Sequence, residues 1–388
     1  GGKRIAGQTM MGPHPPGTAR VWTPTLPEPA MRVLAGYLNN PTTEAYSIFI
    51  RALRKHLPAG TKDPEGVAFE VMALLNPASS PYRERTVGSL EYMIQQAIGV
   101  DQSHVPLLTG STDPHIAHAI GEALNEADIA ILCLPDDAAR EAVELIDSTS
   151  ATRVIDASSA HRTAEGWCYG LPELVGRERV SEARRVSNPG CYPTGFLALV
   201  APLVREGLLP ADWPYTVNAV SGYSGGGKAL IERFEAAGAP AFMAYGYGMV
   251  HKHLPEMKAH AGLAHPVLFA PSVASTYRGM IVEVPLHLGA MADNPHADSL
   301  RDSLNRFYES SAVVTVRDKA PVAELLLDND APASDALELF VFGNDDGSHA
   351  RLVARLDNLG KGASGAAVQN LNLMCGLPET AGLRLTLA

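Results

Sequence analysis

The chain has 388 residues, of which 46% are hydrophobic and 19% charged, a composition typical of a globular enzyme large enough for two domains. Its 31 basic and 42 acidic residues give a formal net charge of −11, which argues against nucleic acid and anionic membrane as main partners. No run in the sequence approaches the roughly 18 to 20 apolar residues that span a bilayer.

The N-terminal stretch 1–30 is rich in glycine and proline and lacks the charged-then-apolar pattern of a signal peptide, so we predict a poorly structured leader. The four cysteines, Cys133, Cys168, Cys191 and Cys375, lie far apart without C-x-x-C spacing. This spacing excludes the usual zinc signatures and gives no disulfide framework, so we predict no metal site. Reduced thiols favour a cytoplasmic location.

From residue 31 short apolar runs alternate with amphipathic stretches. The predicted strands cover 31–36, 67–75, 105–108, 128–134 and 152–157, and the helices between them cover 45–57, 87–98, 116–124 and 137–146. Alternating strands and helices indicate an α/β fold with a Rossmann-like, doubly wound parallel sheet. The stretch 129–134 is continuously apolar, as a buried parallel strand should be.

After about residue 158 the pattern changes to an α+β domain with a mixed sheet. Its predicted strands cover 216–220, 280–286, 312–316, 337–342 and 351–356, and an apolar helix covers 365–375. We therefore predict a dinucleotide-binding domain over 31–160, completed by the C-terminal helix of about 362–388. A catalytic domain follows over 161–361, and by analogy its mixed sheet joins copies into a homo-oligomer, a dimer or tetramer.

Cys191 has the setting of a nucleophile. A turn, Asn-Pro-Gly at 188–190, precedes it, and the apolar run 192–200 follows, with Pro193 tolerated in the first turn of a helix. The pattern places Cys191 at a helix N-terminus, where the dipole favours the thiolate and backbone N–H groups can hold an oxyanion. The alternative is a buried core cysteine, which these flanking residues disfavour.

A second group of polar residues is formed by His251, His253 and Glu256, with Tyr245 before them. An imidazole can take up and return the thiol proton, and Glu256 is suited to orient it. Two histidines two residues apart point to opposite faces of an extended chain, so only one need face Cys191. The alternative is a solvent-facing turn. Metal binding is disfavoured because the spacing is not H-E-x-x-H.

The stretch 188–194 (Asn-Pro-Gly-Cys-Tyr-Pro-Thr) resembles the active-site motif of the N-acetyl-gamma-glutamyl-phosphate reductases, a family of arginine biosynthesis. Four further stretches resemble family motifs: D-x-S-x-x-x-R at 156–162, a Gly-rich substrate loop at 221–228, His-x-His-x-Pro-Glu at 251–256, and the cofactor-proximal segment at 357–365 with 368–370. The resemblance runs from about residue 127 to the end of the chain.

The resemblance implies an NADP-dependent oxidoreductase that converts N-acetyl-gamma-glutamyl phosphate to the semialdehyde through a Cys191 thioester. By resemblance, His253 is the acid/base group, with His251, Tyr245 and Glu256 around it. The implied substrate-binding residues are Ser158, Arg162, Ser224 and Lys228, and an arginine suits bidentate recognition of an anion. The implied cofactor-binding residues in this part of the chain are Pro135, Ser158, Gly195, Asn358, Lys361 and Gly362.

The N-terminal third departs from the family. The place of its G-x-x-G-x-x-G loop, residues 36–45, keeps only Gly36. Three interpretations are open: polar side chains replace the glycines, the first strand lies elsewhere, or nucleotide binding is weak. We favour the first, because the strand and helix order from residue 31 matches the family. Further along, Ser79, Ser80 and Arg83 follow the second strand, where NADP-binding sheets contact the 2′-phosphate. The alternative for these residues is a solvated loop.

Two other functions are compatible with these motifs. One is reduction of a related acyl phosphate, such as a carrier-bound aminoadipyl or glutamyl phosphate, because the motifs say little about the acyl tail. The other is a non-catalytic binding protein that has lost the ability to bind the nucleotide. The joint presence of Cys191, His253, Glu256 and Arg162 argues against the second, since a binding protein has no chemical need for that set.

Overall fold

The computed structural model describes Gly121 and residues 124–317, 324–329 and 331–385. The predictions for the leader and for the loop at Gly36, like those for Ser79, Ser80 and Arg83, lie outside the described residues. Those described fall into two compact units. One contains Gly121, 124–128 and 140–152, and the other contains 129–139 and the described residues from 153 onward.

In the smaller unit the side chain of Asn125 joins two segments. Its amide N–H groups donate to the carbonyl oxygens of Gly121 at 2.7 Å and Leu145 at 2.8 Å. Its Oδ1 accepts from the backbone N–H of Asp147 at 2.7 Å. One side-chain amide therefore bonds to three backbone groups of this unit.

The parallel sheet predicted from the sequence is present in the larger unit. Its strands are β1 (Ile129–Leu132), β2 (Arg153–Asp156), β3 (Cys168–Tyr169) and β4 (Arg185–Ser187), in the order β1-β2-β4-β3, and every pairing is parallel. The helices between them are α1 (Asp136–Glu144), α2 (Pro172–Val175) and α3 (Arg177–Glu182). Strand β1, which was predicted over 128–134, ends at Leu132, two residues earlier than predicted.

The second sheet is mixed, also as predicted. Its seven strands are β5 (Thr216–Gly222), β6 (Phe242–Ala244), β7 (Leu268–Ala274), β8 (Met280–Leu286), β9 (Val314–Val316), β10 (Leu337–Gly343) and β11 (Ala350–Leu356), in the order β6-β7-β5-β8-β11-β10-β9. β5 pairs with β7 and β9 with β10 in parallel, and the other pairings are antiparallel. Along β8 alternate side chains are buried, the period of a strand with one face on the core.

The helices that carry and cover the site are α4 (Cys191–Arg205), α5 (Gly227–Glu235), α6 (Leu254–Ala261), α7 (Ala297–Tyr308) and α8 (Gly365–Met374). A π-helical turn, Gly360–Ser364, leads directly into α8. Among the described residues no helix is long and apolar enough to cross a membrane.

Helix α4 is the centre of the core, and its residues 192–203 are all buried. Gly195 lets it approach the mixed sheet closely, because a Cβ there would lie 3.0 Å from a Val282 methyl carbon. Pro202 removes the N–H that would bond the carbonyl of Ala198. The Tyr308 hydroxyl donates to that carbonyl oxygen instead, at 2.8 Å. The nucleophile predicted at the first residue of α4 thus stands on a rigid, buried element.

Candidate active site

The turn before Cys191 is fixed on both sides. The Asn188 backbone N–H donates to the Asp156 carbonyl oxygen at 2.7 Å, and its side-chain amide donates to the Ala363 carbonyl oxygen at 3.0 Å. Gly190 is the N-cap of α4 in an extended conformation. Cys191 is therefore the first helical residue, as the sequence predicts, and the chain entering it is held by both neighbouring loops.

Gly190 is required by close packing rather than by its backbone angles. A Cβ at this position would lie 2.6 Å from Nε2 of His253 and 2.7 Å from Nη1 of Arg162. Both side chains are buried and would have to move to admit it. The residue preceding the nucleophile thus lies in contact with an imidazole and a guanidinium. This juxtaposition brings the predicted acid/base group and the predicted anion-binding group beside Cys191.

His253 is the N-cap of α6 and is buried. Its backbone N–H donates to Nδ1 of His251 at 3.1 Å, and the two rings lie 4.7 Å apart. Its own Nδ1 is buried and has no hydrogen-bond partner among the described residues. The ring can therefore accept or carry a proton without breaking an existing hydrogen bond to Nδ1.

Glu256 does not orient a histidine, which was the role expected for it. Its Oε1 accepts from Nη1 of Arg162 at 2.7 Å. Its Oε2 accepts from the Tyr169 hydroxyl at 2.7 Å and from the Gly190 backbone N–H at 3.2 Å. Both oxygens face these donors because α6 turns Glu256 toward the parallel sheet. The carboxylate is thus an anchor for the peptide that precedes Cys191.

The charge states differ from those the sequence suggests. Burial raises the pKa of Cys191 to about 11, and the Tyr192 backbone N–H and the Arg162 charge oppose this only in part. Burial, followed by the Arg162 charge, lowers the pKa of His253 well below its ordinary value, and burial lowers that of His251 to about 4. At neutral pH the resting site therefore holds a neutral thiol beside neutral imidazoles. The helix N-terminus alone does not generate a thiolate, because desolvation outweighs it.

Tyr245 belongs to the same cluster through aromatic neighbours. Its hydroxyl donates to the Tyr192 hydroxyl at 3.3 Å, and its ring lies 6.0 Å from that of His251. Burial raises the pKa of Tyr245 to about 12, so the phenol stays protonated at neutral pH. It can act as a hydrogen-bond donor but not as a base there.

The Gly-rich segment forms a short 3-10 helix, Tyr223–Gly226, that runs into α5. The buried Ser224 hydroxyl accepts from the Asn358 amide at 2.9 Å, and Asn358 Oδ1 accepts from the Gly279 backbone N–H at 2.9 Å. Asn358 thus joins two loops. Lys228, in the first turn of α5, is exposed.

Comparisons with known proteins identify the family of the chain. The chain is 50% identical over 278 residues to N-acetyl-gamma-glutamyl-phosphate reductase 2 of Nostoc sp., an alignment covering 67% of this chain and 85% of that one. It is also 50% identical over 262 residues to the N-acetyl-gamma-glutamyl-phosphate reductase of Brucella ovis, covering 65% and 84%. The chain belongs to the N-acetyl-gamma-glutamyl-phosphate reductase family.

Two domain models match the reductase chain. The model of the semialdehyde dehydrogenase NAD binding domain matches residues 90–183, and that of the semialdehyde dehydrogenase dimerisation domain matches residues 191–358. In fold, the chain resembles an aspartate semialdehyde dehydrogenase from Francisella tularensis, with a TM-score of 0.51, 13% identity, and coverage of 75% of this chain and 89% of that one. The predicted fold class and family resemblance are thereby confirmed.

The predicted cofactor residues of the reductase fall into different environments. Pro135 is exposed just after β1, and Gly362 lies so near Cys191 that a Cβ there would be 3.0 Å from the Cys191 Cβ. Gly195 instead faces Val282 and Ala354 inside the core. Lys361 is fully buried, and its Nζ donates to both Glu173 oxygens, at 2.9 and 3.0 Å. These contacts favour packing roles for Gly195 and Lys361 over the predicted cofactor contact.

Ser158 also has a local role. Its backbone N–H and hydroxyl donate to the two oxygens of Asp156, at 2.9 and 2.7 Å, and form the turn that follows β2. Among the described residues no cluster of three or more His, Cys, Asp or Glu side chains could hold a metal ion. Tyr169 was not singled out by the sequence, since an isolated tyrosine in a short apolar run carries no signal of its distant partner.

Proposed function

We propose that Cys191 attacks the acyl phosphate carbon of N-acetyl-gamma-glutamyl phosphate and forms a thioester as phosphate departs. Membership of the family and the NAD binding domain model support an oxidoreductase of arginine biosynthesis that makes an aldehyde with a nicotinamide cofactor, NADP(H) being the usual one for this enzyme. One observation carries the catalytic part of the proposal: the residue before Cys191 packs directly against Nε2 of His253 and the guanidinium of Arg162.

The proton steps follow from the neutral state of both groups. His253 accepts the Cys191 proton as the S–C bond forms, and it passes that proton to the phosphate oxygen as the C–O bond breaks. When bound, NADPH supplies a hydride to the thioester carbon. The C–S bond then breaks with its electron pair on Cys191, the semialdehyde leaves, and the thiolate takes up one proton from solvent through His253.

Arg162 and Lys228 are our candidates for the anionic groups of the substrate. Three N–H groups of Arg162 donate to Asn188, Glu256 and Ala157, which leaves two of its five without an acceptor among the described residues. Lys228 is exposed beside the Gly-rich segment. The Ser224 hydroxyl accepts from Asn358 and keeps its own proton to donate. For Ser158 the Asp156 contacts favour a turn-forming role instead.

Two features of the described residues are compatible with a bound nicotinamide cofactor. Pro135 and Ser158 follow the carboxyl ends of β1 and β2, the edge where open parallel sheets bind dinucleotides. Gly362 leaves bare backbone against Cys191, where a side chain would crowd the reacting group. Contacts from Gly36, Ser79, Ser80 and Arg83 to the adenosine end remain part of the proposal, as do the domain boundaries at 31–160 and 161–361.

The test is a Cys191→Ser variant assayed for NADPH oxidation with N-acetyl-gamma-glutamyl phosphate. Turnover should fall by at least about 1000-fold, because a serine hydroxyl is a far weaker nucleophile at neutral pH. The dissociation constant for NADPH, measured by calorimetry, should stay within about threefold. Cys375→Ser, which changes an exposed cysteine, is the matched control and should keep full turnover. Retained turnover in Cys191→Ser would place the nucleophile elsewhere.

We also propose that the reductase is a homo-oligomer, a dimer or tetramer, located in the cytoplasm. The dimerisation domain match over 191–358 supports oligomerisation. A catalytic thiol needs a reducing compartment, which the cytoplasm provides. Light scattering coupled to size-exclusion chromatography would measure the mass in solution, and a monomer at micromolar concentration would contradict the first part.

A further inference from the structure

Helix α6 presents two side chains toward the parallel sheet, Glu256 and His260, which lie one helical turn apart. Each of these two side chains contacts both Arg162 and Tyr169, so the four residues form a closed circuit. Neither Tyr169 nor His260 takes part in the reaction steps proposed above. The role of the circuit therefore has to lie in positioning other residues.

The four contacts of the circuit are short. Arg162 Nη1 and the Tyr169 hydroxyl each donate to one Glu256 oxygen, both at 2.7 Å. His260 Nε2 lies 2.7 Å from the Arg162 carbonyl oxygen. The Tyr169 and His260 rings stack with centroids 3.7 Å apart and an interplanar angle of 23°. Helix α6 thus grips Arg162 at its guanidinium and its backbone, and Tyr169 at its hydroxyl and its ring.

Chemistry fixes the donor and acceptor at each contact. A carbonyl oxygen can only accept, so His260 carries its proton on Nε2. Burial and the neighbouring Glu256 raise the pKa of Tyr169 well above its ordinary value, so the phenol stays protonated and donates. Arg162, Tyr169 and Glu256 are all buried, and hydrogen bonds to an ionised group in such a place are stronger than neutral ones.

The circuit ends at the nucleophile. The Glu256 oxygen that accepts from Tyr169 also accepts from the Gly190 backbone N–H at 3.2 Å. Gly190 lies against Arg162 and His253, and His253 is the N-cap of the same helix α6. A rotation of the Glu256 carboxylate would therefore release the Pro189–Gly190 peptide, one residue before Cys191, which packs against the imidazole that takes the thiol proton.

We propose that Tyr169 and His260 are positioning residues of this reductase, which act through Glu256 and Arg162 to hold Cys191 in register with His253. The inference rests on the proposed function. Tyr169 is buried and its hydroxyl is engaged by Glu256, so it has no route to touch substrate. Its effect is on geometry at the reacting atoms, where a displacement of about 1 Å can cost about 100-fold in rate.

The first test is Tyr169→Phe, which keeps the stacked ring and removes only the hydroxyl. We expect kcat to fall about 10- to 100-fold while KM for the acyl phosphate stays within about twofold. Tyr215→Phe is the matched control, since Tyr215 is equally buried and its hydroxyl donates to the Pro210 carbonyl oxygen at 2.9 Å. Both variants should lower the unfolding midpoint by a similar few degrees, but only the first should lower kcat.

A double-mutant cycle with Glu256→Gln asks whether Tyr169 acts through Glu256. In the Glu256→Gln background, Tyr169→Phe should change kcat by less than about threefold, because the single acceptor oxygen of glutamine cannot serve Arg162 and the Tyr169 and Gly190 donors together. His260→Gln keeps a donor for the Arg162 carbonyl oxygen and should retain more activity than His260→Leu. An unchanged kcat in Tyr169→Phe, or full additivity in the cycle, would overturn the inference. A wild-type protein without acyl-phosphate reduction would instead overturn the proposed function, and the two failures are therefore distinguishable.

Discussion

The protonation state of Cys191 can be measured directly through its alkylation by iodoacetamide between pH 6 and pH 10. Only the thiolate reacts, so the rate follows the thiolate fraction. With a pKa of about 11, the fraction at pH 8 is about one in a thousand, against about one in four for an ordinary thiol of pKa about 8.5. Cys191 should therefore react about 100-fold or more slowly than a cysteine in a short peptide at that pH.

The shape of the pH profile separates two states of the site. If the resting site holds a neutral thiol and a neutral imidazole, the logarithm of the rate should rise by about one unit per pH unit up to about pH 10. If His253 instead took the proton in the resting enzyme, the ion pair would give a plateau near neutral pH, as it does in thiol–imidazole proteases. The two profiles differ most between pH 6 and pH 8.

The assay uses a Cys375→Ser background, because Cys375 is exposed and would consume reagent first. Peptide mass spectrometry then follows the modification of Cys191 apart from that of Cys133 and Cys168. A plateau below pH 8 would refute the argument that burial outweighs the helix dipole. A further control, unfolding in denaturant, should return the Cys191 rate to that of the peptide.

Three other outcomes are expected. Glu256→Gln should lower the pKa of Cys191 and speed its alkylation at pH 8, because the Arg162 charge loses its counter-ion, while kcat falls about 10-fold or more and the unfolding midpoint drops. Acid should destabilise the fold between about pH 6.5 and pH 4, because His251 and His253 bind protons more readily when unfolded, and His251→Gln should flatten that dependence in thermal unfolding. Arg83→Ala should raise the KM for NADPH far more than that for NADH, and equal changes would contradict a 2′-phosphate contact.

Some helices and strands were predictable because the residues that form them are neighbours in the sequence. The turn and apolar run around Cys191 predicted the start of α4, and the largely apolar stretch 280–286 predicted β8. The short strand β6 has only three residues, too few for a period to show, and β7 was missed because Pro271 interrupts it. The twelve-residue helix α7 was not predicted either, although it is long enough for a helical period to show.

The sequence motifs singled out Cys191, His253 and Arg162 as candidate site residues, but not the hydrogen bonds that such residues form with distant parts of the chain. Tyr169 and Glu256 are 87 positions apart, and Lys361 and Glu173 are 188 apart, so no local pattern reveals either pair. The pKa of Cys191 was misjudged for the same reason. A helix N-terminus is visible in the sequence, whereas the degree of burial that opposes it depends on the whole packed unit.

The stretch from Tyr169 to Glu173 shows how much such distant pairs can carry. At one end, Tyr169 holds Glu256, which anchors the Gly190 peptide before Cys191. At the other, Glu173 accepts from Lys361, whose neighbour Gly362 lies against Cys191. Because both contacts start from one short segment, a displacement of that segment would act on both of them. The segment from Tyr169 in β3 to Glu173 in α2 is thus linked through one partner each to Gly190 and to the neighbour of Gly362, although it contributes no reacting atom.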